Sequence, residues 1–195
     1  MKLNKEIPIE VSARHIHLSQ KDLEELFRVN YELKVLKQLL QFGEFACEET
    51  LTINSGSKKI DKVRIIGPAR KNTQIEISHA DARFLNINPP IRISGDIENT
   101  PGIRLINQKK EIFIKRGVII PQRHIHCNPK EAKELGFKDG MLVSVRTNSI
   151  KPVTFHNIVI KIKENYSLCL HLDVEEGNAA GILNSGKGVI LGIEE

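Results

Sequence analysis

Two stretches decide how this chain reads: SARHIHLSQKDLEELF at 12–27 and PQRHIHCNPKEAKELGF at 121–137. Each sets Arg-His-Ile-His directly before a helix signal. Ser19 stands ahead of Lys21 and Asp22. Asn128 stands ahead of Pro129, at the first helical position, and of Glu131. Both read as N-caps with an acid three positions on. The copies align at Arg14/Arg123, His15/His124, Ile16/Ile125, His17/His126, Lys21/Lys130, Glu25/Glu134 and Leu26/Leu135. A repeat of strand, two histidines and capped helix predicts two related β-rich domains.

Outward from these stretches, most of the chain alternates apolar and polar residues over short runs bounded by Gly, Pro, Asn and Asp. IPIEV (7–11), YELKVL (31–36), ETLTIN (49–54), KVRIIG (62–67) and TQIEIS (73–78) read as strands, as do GVIIP (117–121), MLVSVRT (141–147), FHNIVIKI (155–162) and YSLCLHLD (166–173). This spacing suits small barrels or sandwiches rather than a parallel α/β sheet. SHADARFLN (78–86), capped by Ser78, and DVEEGNAAG (173–181) complete a set of four short helices. The fold class is therefore mainly β with a few short helices.

Bulk composition narrows the function. A chain of 195 residues can bury a real core as one large or two small domains. The net charge of +5 is spread along the chain with nine aromatics and no Trp, which argues against nucleic acid and fits anionic small molecules or plain solubility. Cys47, Cys127 and Cys169 are odd in number and share no metal-knuckle spacing, consistent with a reducing cytosol. No apolar run reaches the length of a membrane span, and a strand-like segment by about Ile7 leaves little room for a targeting extension.

Four of the seven histidines lie in the repeat. Histidines at i and i+2 on extended chain project to one side, so their rings can converge on one metal while Ile16 or Ile125 points into a core. A catalytic zinc takes three protein ligands and keeps one position open, so each pair needs a third group. Glu76 on the strand TQIEIS is one candidate, with solvation as its plain alternative. His171 amid the apolar alternation of LCLHLD is another, with a satisfied core histidine as its alternative. His79 and His156 sit in polar contexts and read as surface residues. Arg14, Arg123 and Arg70 carry the bidentate chemistry that grips phosphate, and Arg70 leaves a Gly-Pro turn close ahead of Glu76.

PIEVSARHIHLS, GEFACEET, GPARKNTQIEIS, SGDIENTPGI and VIIPQRHIH, in that order, resemble the phosphate propanoyltransferase family, the PduL-type phosphotransacylases of bacterial 1,2-propanediol degradation. The likeness runs from about Pro8 to about Ala180. It implies an enzyme that interconverts acyl-CoA plus phosphate with acyl phosphate plus CoA, at a dinuclear zinc site between two β-barrel domains capped by short helices. On these positions, one zinc would take His15, His17 and Glu76, the other His124, His126 and His171, and Arg70 would hold phosphate. The domains would be discontinuous: residues 4–13 with 122–191 in one barrel, and 14–121 in the other, with 28–48 as a small β insertion over the active site.

The likeness implies acyl-CoA, CoA, phosphate and acyl phosphate as partners and is compatible with a homodimer and with microcompartment shell proteins. Residence in a microcompartment usually comes with an N-terminal encapsulation extension, for which there is no room before the first strand. Cys127 stands where Met is common. Asn99 replaces a frequent Gly, and Asn tolerates the positive φ such a turn needs.

Direct transfer in a ternary complex is expected, because no Cys or Ser lies beside a His/acid pair in a recognisable nucleophile motif. From the ligands alone, a dinuclear metal-dependent acyl-CoA hydrolase and a non-enzymatic, metal-stapled β-barrel protein are the competing readings.

Overall fold

The computed structural model describes residues 2–194. In chain order its elements are β1 (Lys2–Ser12), β2 (His15–His17), α1 (Gln20–Leu26), β3 (Val35–Gln38), β4 (Phe45–Asn54), β5 (Lys59–Gly67), β6 (Gln74–Glu76), α2 (His79–Leu85), β7 (Ile91–Arg92), β8 (Ile103–Asn107) and β9 (Lys110–Ile114). Then follow β10 (Val118–Pro121), β11 (His124–Cys127), α3 (Pro129–Leu135), β12 (Leu142–Asn148), β13 (Thr154–Ile162), β14 (Cys169–Asp173), α4 (Val174–Ala179) and β15 (Ser185–Ile193). The mainly β class expected from the alternation is the class observed. Among the described residues, no helix is long and apolar enough to cross a membrane.

All four helices begin where their cap residues put them. The side chains of Ser19, Ser78, Asn128 and Asp173 accept backbone N–H groups of the first turn, and the last three close full capping boxes with Asp81, Glu131 and Glu176. These acceptors satisfy donors that the first helical turn leaves unpaired.

Two compact units share the chain: one formed by the segments up to Ala13 and from Gln122 onward, the other by Arg14–Pro121. In the first, β1-β14-β11-β13-β12-β15 close into a six-stranded barrel. Period-two alternation fills it: Ile7 and Ile9, Ile125 and Cys127, Val143 and Val145, Ile158 and Ile160, and Leu170 and Leu172 are all buried. In the second unit the sheet path β7-β10-β6-β2-β5-β4-β8-β9 stays open as a half-barrel, with β3 added alongside β4. Its core gathers Ile16, Leu51, Ile53, Val63, Ile65 and Ile75, with Leu23, Leu26 and Leu85 from the helices.

The repeat read from the sequence is a repeat of pairing. β2 lies between β5, parallel, and β6, antiparallel. β11 lies between β13, parallel, and β14, antiparallel.

YELKVL is strand only from Val35. Asn30 turns the chain at φ 57°, Tyr31 stacks on Phe27 at 4.5 Å, and its hydroxyl donates to Glu49, so these residues tie back to α1 and β4 instead of extending. Asn99 adopts φ 54°, so the turn that favours Gly is made by Asn.

Candidate functional site

In the half-barrel unit, the register of β2 against β6 sets His15 opposite Glu76. His15 Nε2 lies 3.5 Å from Glu76 Oε2, and the His15 and His17 rings meet edge-on at 4.9 Å. Donor atoms of His15, His17 and Glu76 all lie within 4.8 Å of one another, a spacing that suits a shared metal ion. The surrounding hydrogen bonds aim these groups. His17 Nδ1 sits 3.2 Å from the Ile66 carbonyl, which only accepts, so Nδ1 carries the proton and Nε2 keeps its lone pair. Gln74 donates to Glu76 Oε1 at 2.6 Å, leaving Oε2 toward His15. Burial, then the neighbouring His15, then Arg70 hold His17 well below the ordinary histidine range, in the neutral form that binds metals.

Arg70 belongs to this cluster. Its backbone N–H donates to the Leu18 carbonyl, and its guanidinium donates to Ser94 Oγ at 3.2 Å and to Glu44 Oε1 at 2.8 Å. Ser94 also accepts from Gln74, so a short polar chain joins Arg70 to Glu76. Glu44 was not visible as a site residue in the sequence. It comes from the 28–48 segment, and its carboxylate accepts from the Arg70 guanidinium.

In the barrel unit, β11 and β14 place His124 opposite His171. The rings of His124, His126 and His171 cluster at centroid distances of 4.5, 4.5 and 5.2 Å. His124 Nδ1 donates to the Gln122 carbonyl at 2.8 Å. His171 Nδ1 is 3.7 Å from Glu10 Oε2, too long for a hydrogen bond. Burial, then His124, pushes His171 down to about 3. Burial, with His124 and His171 next, also drives His126 far down. His126 Nδ1 is buried with no hydrogen-bond partner, and its ring stacks on Tyr166 at 3.7 Å. A buried imidazole nitrogen without a proton partner beside two further imidazoles fits a metal ligand.

The donor atoms that lie within 4.8 Å of one another around His171 are those of Glu10 and Cys169, whereas the His124 and His126 rings neighbour His171 without the three meeting that spacing. Glu10 could not be found from the sequence, because only the parallel β1–β14 register sets it opposite His171.

The arginines of the repeat have definite partners. Arg14 donates from Nε and Nη2 to both carboxylate oxygens of Asp81, at 2.7 and 2.6 Å. Arg123 donates from Nη1 to Glu176 at 2.8 Å and from Nε to the His156 carbonyl at 2.9 Å. His79 and His156 are exposed, as their polar contexts indicate.

No thiol is poised as a nucleophile. Burial raises Cys47 and Cys127 to about 11 and Cys169 to about 12. One serine does meet a His/acid pair that the sequence hid: Ser144 Oγ and Glu194 both contact His156 Nδ1, at 2.7 and 2.9 Å. Both converge on the same nitrogen, whereas a proton relay needs the nucleophile hydroxyl and the orienting acid on different nitrogens of the ring.

Comparison with known proteins gives a consistent picture. The sequence profile of the phosphate propanoyltransferase family matches residues 8–183. A phosphate propanoyltransferase of Thermotoga maritima is 46% identical over 181 residues, covering 92% of this chain and 86% of its own. One of Alkaliphilus metalliredigens is 43% identical over 175 residues, 90% of this chain and 82% of its own. One of Enterococcus faecalis is 36% identical over 183 residues, 94% of this chain and 87% of its own.

Proposed function

Because the chain belongs to the phosphate propanoyltransferase family, an acyltransferase family, we propose that it interconverts a short-chain acyl-CoA plus phosphate with the acyl phosphate plus CoA. Propanoyl-CoA and acetyl-CoA are the acyl donors, and two zinc ions serve the reaction. His15, His17 and Glu76 hold one ion, and His124, His126 and His171 hold the other. The observation that carries this reading is the repeated geometry: two histidines on one short strand, with a third donor directly opposite on its antiparallel neighbour.

Zinc supplies Lewis-acid polarisation of the thioester carbonyl and stabilises the oxyanion and the leaving thiolate. With three protein ligands each, such ions would be held as catalytic rather than structural zinc is held. Arg70 binds the oxyanions of phosphate and orients one oxygen toward the carbonyl, which makes the attack effectively intramolecular. To do so it exchanges the Glu44 carboxylate for phosphate. The new bond joins a phosphate oxygen to the acyl carbon, the carbon–sulfur bond breaks, and CoA leaves. The acyl group passes directly between substrates, since the three thiols are buried and held protonated at neutral pH.

The test is thiol release from propanoyl-CoA and acetyl-CoA with and without phosphate, alongside elemental analysis of the purified protein. Phosphate-dependent release with bound zinc is expected. Equal release without phosphate would make the protein a metal-dependent hydrolase. Zinc-dependent thermal unfolding with no turnover would make it a metal-stapled barrel. An acylated protein trapped with acyl-CoA alone would refute direct transfer.

A further inference from the structure

The arginine that precedes each histidine pair reaches the strand opposite by the same route. In the half-barrel unit, Glu76 is followed two residues later by Ser78, the N-cap of α2, and Arg14 grips Asp81 at the third position of that helix. In the barrel unit, His171 is followed two residues later by Asp173, the N-cap of α4, and Arg123 grips Glu176 at the third position. Both acids also close their capping boxes, accepting the N–H of Ser78 at 3.3 Å and of Asp173 at 3.1 Å. Each contact therefore runs from one histidine strand, through a helix cap, to the segment that carries the third donor.

The strands so joined are short. β2 and β6 have three residues each, and β11 and β14 have four and five. Ladders this brief resist shear weakly, and a slip of one residue turns a side chain to the opposite face. Both acids are well shielded, with Asp81 side chain at 7% and Glu176 at 19% exposure. The ion pairs Arg116–Glu98 and Arg104–Glu111 are exposed on both partners, by contrast, and the first at 52% and 67%. An exposed pair of that kind does little for the fold.

We infer that Arg14–Asp81 and Arg123–Glu176 are positioning pairs, each holding one triad in register and so setting metal affinity at its own triad alone. This rests on the metal-binding reading above. Arg14 is the stiffer clamp, since it is bidentate, while Arg123 divides its donors between Glu176 and the β13 backbone.

The experiment titrates metal-stripped protein with zinc against a chromophoric chelator, and with Co(II) followed by absorption, for wild type, Arg14→Gln, Arg123→Gln and the control Arg116→Gln. Wild type is expected to bind two ions. Arg14→Gln should weaken one ion by about 10- to 100-fold, the range seen when groups that orient ligands are removed. The Co(II) band it loses should be the band that Glu76→Gln abolishes. Arg123→Gln should weaken the ion that His171→Ala abolishes, and Arg116→Gln neither. Arg14→Lys, which keeps the charge without the fork, should recover part of the loss. If Arg14→Gln does not fold, Asp81→Asn removes the charge while keeping an oxygen for the cap, and the same band should weaken.

Wild-type affinity at both ions in Arg14→Gln and Arg123→Gln would overturn the inference. So would weakening of both ions together with a lowered thermal midpoint of the metal-free protein, since that is loss of fold alone. A wild type that binds no zinc would instead overturn the metal-binding reading, and the inference with it.

Discussion

His15 and Glu76 face each other across the β2–β6 ladder, with Nε2 and Oε2 3.5 Å apart and Gln74 holding the other carboxylate oxygen. Glu76→Gln keeps this shape and removes the charge. Zinc affinity at that triad should fall by at least about a hundredfold, since a ligand matters more than the groups that orient it. Elemental analysis should find one equivalent lost and one retained. His124→Ala should lose the other equivalent, and each variant should lose acyl transfer.

Arg70 and Glu44 should give opposite results. Arg70→Ala should keep the metals and lose about 10²- to 10³-fold in turnover, the range for removing one oriented donor to developing negative charge. Glu44→Gln leaves the guanidinium without its carboxylate partner at 2.8 Å. Both side chains of that pair are about 30% exposed, so screening keeps its worth to about 1 kcal/mol or less. KM for phosphate should therefore drop by up to about fivefold, read from initial rates across a phosphate series. A full rate for Arg70→Ala at low phosphate would contradict its role.

The isoleucine inside each histidine pair carries the fold. Ile16 and Ile125 are wholly buried in the two cores. Ile16→Ala should cost about 2–5 kcal/mol in denaturant unfolding, against about 0.5–1.5 kcal/mol for Ile16→Val. The Val variant should keep its metal stoichiometry.

The thiols predict a loss of stability in alkali. Burial raises Cys47 and Cys127 to about 11 and Cys169 to about 12, from an ordinary value of 9. Above pH 9 the unfolded chain gives up thiol protons that the folded chain keeps, so unfolding is increasingly favoured up to about pH 11. Below pH 9 both states hold these protons and the effect vanishes. Cys127→Ala should flatten the decline between pH 9 and 11, measured by denaturant unfolding at each pH.

The sequence made the local structure plain. Period-two runs marked most strands, and Ser19, Ser78 and Asn128 marked three helix starts, because caps and alternation act over a few residues; the cap at Asp173 emerged only with the structure. Tyr31 misled, since its strand-like context yields to a stack on Phe27 and a hydrogen bond to Glu49. The hairpin of β8 and β9 and the final strand β15 went unread, as their polar residues dilute the alternation. Within the candidate site, i and i+2 spacing brought His15 to His17 and His124 to His126. The partners Glu44, Glu10, Asp81 and Glu176 come from elements whose pairing no local pattern encodes. Arg14 and Arg123 could therefore be seen but not understood until the helices that carry their acids were placed.

The most direct test of the account is the dependence of CoA release from propanoyl-CoA on both phosphate and zinc. Wild-type protein with two zinc equivalents should release CoA only when phosphate is present and form propanoyl phosphate in equal amount. Removing the metal should abolish the reaction, and restoring zinc should recover it. Release that proceeds without phosphate, or that continues undiminished after the metal is stripped, would contradict it.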